Sequence, residues 1–111
     1  MRLAILAAVL ALLAPPALAG DCTGHVVGVR PVSEYNHAAG RGFLAVRTGP
    51  GTQYGQIGEL YQGDEISVWA RQGNWYQVQC MSGRCAQPFW GQPMPNGWVF
   101  GQYLRIGGVC P

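Results

Sequence analysis

Apolar and polar positions alternate with period two in two stretches of this chain. In Glu65-Ile66-Ser67-Val68-Trp69-Ala70, residues Ile66, Val68 and Ala70 fall on one face. In Trp75-Tyr76-Gln77-Val78-Gln79-Cys80, the shared face holds Tyr76, Val78 and Cys80. That period belongs to strands with one buried side. Gln72-Gly73-Asn74 lies between them and predicts a tight turn. Three shorter apolar runs also read as strands: 42–47, ended by Thr48-Gly49-Pro50-Gly51; 56–61, closed by Gln62-Gly63-Asp64; and 97–100. Gln102 to Arg105 predicts a 3₁₀ turn, and Val26 to Val29 an extra strand. Beyond residue 20 no helical amphipathic stretch of useful length occurs, and no repeat. Five or six short, closely spaced strands predict an all-β fold, a small barrel rather than a βαβ unit. Its expected core is Leu44, Ile66, Val68, Val78, Trp98 and Val99. Trp69 points to the opposite face from Ile66 and Val68 and is expected to be exposed.

The first 19 residues follow another pattern. Arg2 precedes an unbroken apolar run of 11 residues, Leu3 to Leu13, then Pro15-Pro16 and Ala17-Leu18-Ala19. This is the layout of a secretory signal peptide, with cleavage expected between Ala19 and Gly20. A spanning helix needs about 20 apolar residues without a proline pair, so no membrane insertion is expected after cleavage. Asp21 directly before Cys22 does not suit a lipid-anchored cysteine. The expected organisation is a leader over 1–19, an N-terminal arm over 20–41, and a barrel over 42–111 carrying an insert at 86–96.

Composition narrows the partners. The chain has 111 residues, 11% of them charged, with 17 Gly. It is long enough for one domain, too apolar for disorder and too glycine-rich for a helical fold. After cleavage, Arg30, Arg41, Arg47, Arg71, Arg84 and Arg105 are scattered along the sequence, near balance with 5 acidic residues. No basic stripe faces phosphates, so no nucleic acid partner is expected. Four cysteines in a small exported domain read as two disulfides, with three possible connectivities. Cys22 and Cys110 sit at opposite ends of the cleaved chain, and Cys80 and Cys85 bracket a four-residue turn. Pairing 22–110 with 80–85 is therefore favoured over the other two. Zinc is the competing use of these cysteines, but His25 and His37 lack the spacing that such sites show. No metal and no cofactor are expected.

Several of these segments, in order, resemble one family. Leu44-Ala45-Val46-Arg47-Thr48-Gly49-Pro50-Gly51-Thr52-Gln53-Tyr54 opens the set. Ile57-Gly58-Glu59-Leu60, Gly63-Asp64, Trp75-Tyr76-Gln77-Val78, Gly97-Trp98-Val99 and Tyr103-Leu104 follow. Together they resemble the bacterial SH3-type domain over residues 43–104. Ala45 stands where bacterial members usually carry Asn, and the insert separates the last hairpin from Gly97. The resemblance implies a five-stranded SH3-like barrel with an extracytoplasmic role, often in contact with the cell wall. Trp75 follows the 72–74 turn, where SH3-type proteins place a groove tryptophan. Tyr103 matches a groove tyrosine of the eukaryotic domain, and Phe100 replaces that groove's proline.

Catalysis needs a nucleophile, a base and an orienting group, or a metal. The cysteines are expected to be oxidised, and Cys80-x₄-Cys85 lacks the spacing of a thiol oxidoreductase. Glu34, Glu59, Asp64 and Glu65 show no paired spacing of a glycosidase kind. A non-enzymatic protein, secreted or periplasmic, is expected. Tyr54, Trp75 and Tyr103 are the candidate ligand-binding residues, lining one shallow groove with Trp90 of the insert as its outer wall. Flat rings with one polar tip suit such a surface, though they also suit covering barrel edges. Phe89, Trp90 and Met94 are too apolar for an idle loop, so the insert either folds back or presents a contact surface. Two functions follow: a module that binds cell-wall peptide, glycan or an envelope protein through the groove, or a disulfide-stabilised structural or inhibitory protein acting through 86–96.

Overall fold

The computed structural model of the protein describes residues 22–111, and the leader with its Ala19–Gly20 junction lies outside them. Among the described residues the chain forms seven strands: β1 (Cys22–Val26), β2 (Leu44–Arg47), β3 (Gln56–Leu60), β4 (Glu65–Gln72), β5 (Trp75–Ser82), β6 (Asn96–Phe100) and β7 (Leu104–Gly108). Every pairing is antiparallel, in the order β3-β2-β6-β5-β4-β1-β7. The expected all-β class stands and the sheet is consistent with an SH3-like fold, but the expected count of five strands does not hold. The sheet has seven strands, and its edges β3 and β7 are not bonded to each other. It curls around one core all the same. Leu60 of β3 is buried in the cluster that holds Val26, Leu44, Val46, Ile66, Val68, Val78 and Val99, and Leu104 and Ile106 of β7 pack against it.

The two additional strands come from segments whose composition hides them. The segment read as an arm supplies β1, four residues before the strand expected at Val26–Val29. β1 alternates as a strand should, with Cys22, Gly24 and Val26 buried and Thr23 and His25 exposed. Its inward positions include a glycine, which is a poor strand signal. The glycine answers crowding: a Cβ on Gly24 would lie 2.4 Å from the Arg105 carbonyl of β7. The 3₁₀ turn is also shifted, to Gly101–Tyr103, and Leu104 and Arg105 belong to β7. Trp98 is half-buried rather than core, because it lies on the opposite face of β6 from Val99.

Disulfides join Cys22 to Cys110 and Cys80 to Cys85, the connectivity favoured above. The first fastens β1 to the segment after β7. The second closes the turn that leads into the insert. Buried Asp64 anchors that turn by accepting three backbone N–H groups, from Tyr61 (2.7 Å), Arg84 (2.8 Å) and Cys85 (3.1 Å). Burial pushes its carboxyl above the ordinary range, and the three donors and the Arg84 charge oppose that shift. Gly83 adopts φ 116° beside it, and a Cβ there would strike the Asp64 carboxylate at 2.3 Å.

Candidate functional site: an aromatic groove beside a cationic cleft

β2 turns Leu44 and Val46 into the core and leaves Ala45 and Arg47 half-buried on its other face. That outer face is the floor between two adjoining depressions. One is an apolar groove of about 590 Å³, walled by Pro50, Trp75 and Phe100 and by the loop through Gln53. The other is a cleft of about 500 Å³, lined by Arg30, His37, Arg41, Phe43 and Tyr103. Leu44, Ala45 and Arg47 line both. Both volumes fall in the range of small-ligand sites.

An aromatic row connects the two. Trp75 opens β5 and meets Phe100, at the end of β6, edge-on at a centroid distance of 5.5 Å. Phe100 lies 6.3 Å from Tyr103 in the following 3₁₀ turn. The turn keeps Tyr103 close because its carbonyl accepts the Val27 N–H at 2.9 Å. Neither the Trp75 indole N–H nor the Tyr103 hydroxyl has a protein partner among the described residues. These are rings with apolar bodies packed and polar tips open, an arrangement suited to gripping a flat or apolar ligand.

A second aromatic group adjoins the cleft through His37 and Phe43 and is built differently. Glu59 of β3 is fully buried. Its carboxylate accepts the Tyr61 hydroxyl at 2.5 Å and the Tyr35 hydroxyl at 2.8 Å, and contacts His37 Nδ1 at 2.6 Å. The Tyr61 hydroxyl oxygen also accepts the Phe89 N–H at 2.9 Å. Burial, the hydrogen bond to Glu59 and the Glu59 charge push the Tyr35 phenol up to about 12. Burial and the same carboxylate raise the Tyr61 phenol further, against the Phe89 N–H. His37 is stacked between Phe43 and Trp90, at centroid distances of 5.5 Å and 4.5 Å. Phe89 packs on Tyr35 at 4.6 Å and on Tyr61 at 5.5 Å.

The insert therefore folds back. Gln92 N–H donates to the Ile57 carbonyl (3.1 Å), Met94 N–H to the Cys85 carbonyl (2.9 Å) and Cys80 N–H to the Pro95 carbonyl (3.0 Å). Phe89 and Trp90 stay 50% and 38% exposed even so.

The four residues picked from the sequence do not form one groove. Trp75 and Tyr103 share the aromatic row. Tyr54 lines neither depression: its ring lies over Gly49 of its own loop, and its carbonyl accepts Arg47 Nη1 at 2.9 Å. Trp90 backs His37 and is no outer wall to Trp75. Sequence reasoning gave no site role to Phe100, the link in the row, or to Glu59 and His37. Glu59 sits inside the motif Ile57-Gly58-Glu59-Leu60, next to buried Leu60, and an acid within an apolar run is a signal that it has internal partners. The arginines that look scattered in sequence are brought together: Arg30, Arg41 and Arg47 line one cleft.

A family model described as bacterial SH3 domain matches residues 42–105, from just before β2 into the start of β7. No curated protein and no solved structure matches the chain.

Proposed function

The chain belongs to the bacterial SH3 domain family, and on that premise we propose that it is an exported, non-catalytic binding module whose ligand lies across the Trp75–Phe100–Tyr103 row. The ligand class is a cell-wall peptide or glycan, or an envelope protein. One observation carries this reading: the row borders an apolar groove of about 590 Å³ while its indole N–H and hydroxyl tips remain without protein partners. Two disulfides together with the family point to an extracellular or periplasmic compartment. Residues 1–19 would serve as the cleaved leader, and an intact mass starting at Gly20 is the expected result for exported protein. A non-catalytic role is supported by the fate of the reactive groups. The four cysteines are all in disulfides, and His37 and Glu59 are bound to each other.

Co-sedimentation with purified peptidoglycan tests the ligand. Binding that Trp75→Ala removes and Trp90→Ala spares is the expected outcome. No sedimentation, or equal sedimentation of both variants with the parent, overturns it. A second reading has one observation in its favour. The insert is pinned by backbone hydrogen bonds yet leaves Phe89, Trp90 and Met94 partly exposed, as a rigid contact surface for a protein partner would. Capture of a soluble envelope protein that Trp90→Ala abolishes and Trp75→Ala spares would put this structural or inhibitory role first.

A further inference from the structure

We propose that the cleft next to the aromatic row is a carboxylate site, holding an anionic end of a peptide whose apolar part lies over Trp75 and Phe100. This rests on the groove reading above and specifies the chemistry of its ligand.

Net charge gives no hint of such a site, since the cations are few. Their placement does. Three of the six arginines beyond Arg2 line this one cleft, and no aspartate or glutamate side chain lines it. Arg30 is offset by Glu34, whose Oε1 accepts its Nη1 at 2.9 Å. Arg41 and Arg47 have no acidic partner among the described residues. Each spends one donor on the backbone: Arg41 Nε on the Glu34 carbonyl at 3.4 Å, Arg47 Nη1 on the Tyr54 carbonyl at 2.9 Å. A guanidinium carries five donors in a planar fork, so most of each fork is left for an anion.

The cleft is held in shape. Asn36 and Arg41 exchange backbone hydrogen bonds of 2.8 and 3.0 Å, and the Asn36 side chain accepts the Ala39 N–H at 3.0 Å. Gly42 closes this loop at φ 86°, where a Cβ would lie 2.7 Å from the Tyr35 backbone. Inside the loop, His37 is fixed by Glu59 at Nδ1 and by two flanking rings. Its orientation is set by a contact on one nitrogen, so the other is free for the cleft it lines.

The chemistry of the occupant follows from what surrounds the charge. Elsewhere, Arg71 lies over Tyr76 and Arg84 over Phe89, so those cations do not extend the cleft into a basic track. A polyanion would need such a track. A single anionic group fits, and the apolar groove that continues from Ala45 and Arg47 calls for an uncharged, apolar continuation of the same ligand. Arginine forks match carboxylates in a paired, planar geometry. A chain-terminal carboxylate and an acidic side chain offer the same group.

Three synthetic peptides separate these terms: acetyl-Ala-Phe-Ala-Ala with a free carboxylate, its C-terminal amide, and acetyl-Ala-Phe-Ala-Glu-amide. NMR titration of the full exported chain would follow the arginine Nε–H signals and the Trp75 indole N–H. The free acid is expected to bind about tenfold more tightly than the amide, as loss of a charge-assisted contact implies. Arg41→Gln should remove that difference, and the glutamate peptide is expected to bind like the free acid, since it offers the same carboxylate. Equal affinity of all three peptides, with the Trp75 signal moving, overturns the carboxylate site and leaves the groove. Carboxylate-dependent arginine shifts that Trp75→Ala leaves untouched overturn the groove and leave the cleft. Acid binding unchanged by both Arg41→Gln and Arg47→Gln overturns the cleft.

Discussion

Two aromatic assemblies occupy this small protein, and they use the same kinds of ring in opposite ways. Around Glu59, Tyr35, Tyr61 and His37 turn inward on a buried carboxylate with Phe89 and Trp90 packed on them, and both hydroxyls, one imidazole nitrogen and the Phe89 N–H are spent on internal partners. Along Trp75, Phe100 and Tyr103 the rings pack edge to edge but their polar tips stay open beside a groove and a cationic cleft. A buried acid without donors would cost several kcal/mol, so the first assembly is a condition for folding. The second has nothing internal to satisfy. Counting aromatics does not separate the two roles; following each polar tip to its partner does.

Removing the Cys22–Cys110 disulfide should produce the largest effect, and it should not distinguish the two assemblies. Closing a loop of this length stabilises by up to about 4.5 kcal/mol, against about 2 for the Cys80–Cys85 turn. Urea unfolding of the Cys22→Ala/Cys110→Ala and Cys80→Ala/Cys85→Ala variants should show that order. A larger loss from the short bridge would mean that the insert, and the Glu59 assembly under it, carries more of the fold than the termini do.

Glu59→Ala separates the assemblies. It strips the acceptor from two phenols and His37, and should lower unfolding free energy by about 3 kcal/mol. Glu59→Gln should lose less, because the amide oxygen still accepts. If Glu59→Ala unfolds normally, the inward-turned group is decoration.

Alkaline pH reads the same assembly without mutation. The Tyr35 phenol titrates near 12 in the folded protein, and Tyr61 is raised as well, against about 10 in an unfolded chain. Above pH 10 the unfolded state gives up these protons first. The stability they contribute is therefore full below pH 10 and lost as pH rises through 12. Melts between pH 9 and 11.5 should show this slope, and Tyr35→Phe should flatten it. A slope unchanged in Tyr35→Phe would place the titrating groups elsewhere.

Trp75→Ala should have the smallest effect on stability, about 1 kcal/mol, since Trp75 is half-buried against Phe100 alone among the rings. Its effect on peptidoglycan sedimentation should be near complete. A variant that unfolds easily and still binds would invert the comparison.

Much of the strand pattern was legible because it rests on local physics. The alternation at 65–70 and 75–80 and the glycine-bearing turns give β4, β5 and the hairpin between them. β1 was harder to see because Cys22, Thr23, Gly24 and His25 form no apolar run, and Gly24 is fixed by the Arg105 carbonyl, 81 positions away. Trp75 and Tyr103 were grouped in the sequence by their places after a turn and before a terminal strand, and the structure puts both in one aromatic row. Tyr54 and Trp90 were placed with them wrongly, since nothing in the sequence tells that one ring covers Gly49 and the other stacks on His37.

The sequence by itself determined the all-β class, the family and the candidate cysteine pairing, because alternation, turn chemistry and the order of motifs are properties of neighbours along the chain. Only the tertiary structure decided that seven strands curl without closing, that Glu59 gathers two phenols and an imidazole, and that Arg30, Arg41 and Arg47 share a cleft. Those outcomes depend on which distant segments are brought together. Burial and electrostatics act through space, so a charge that is one of a scattered few along the sequence becomes part of a concentrated site once β2 and the loop before it are folded side by side.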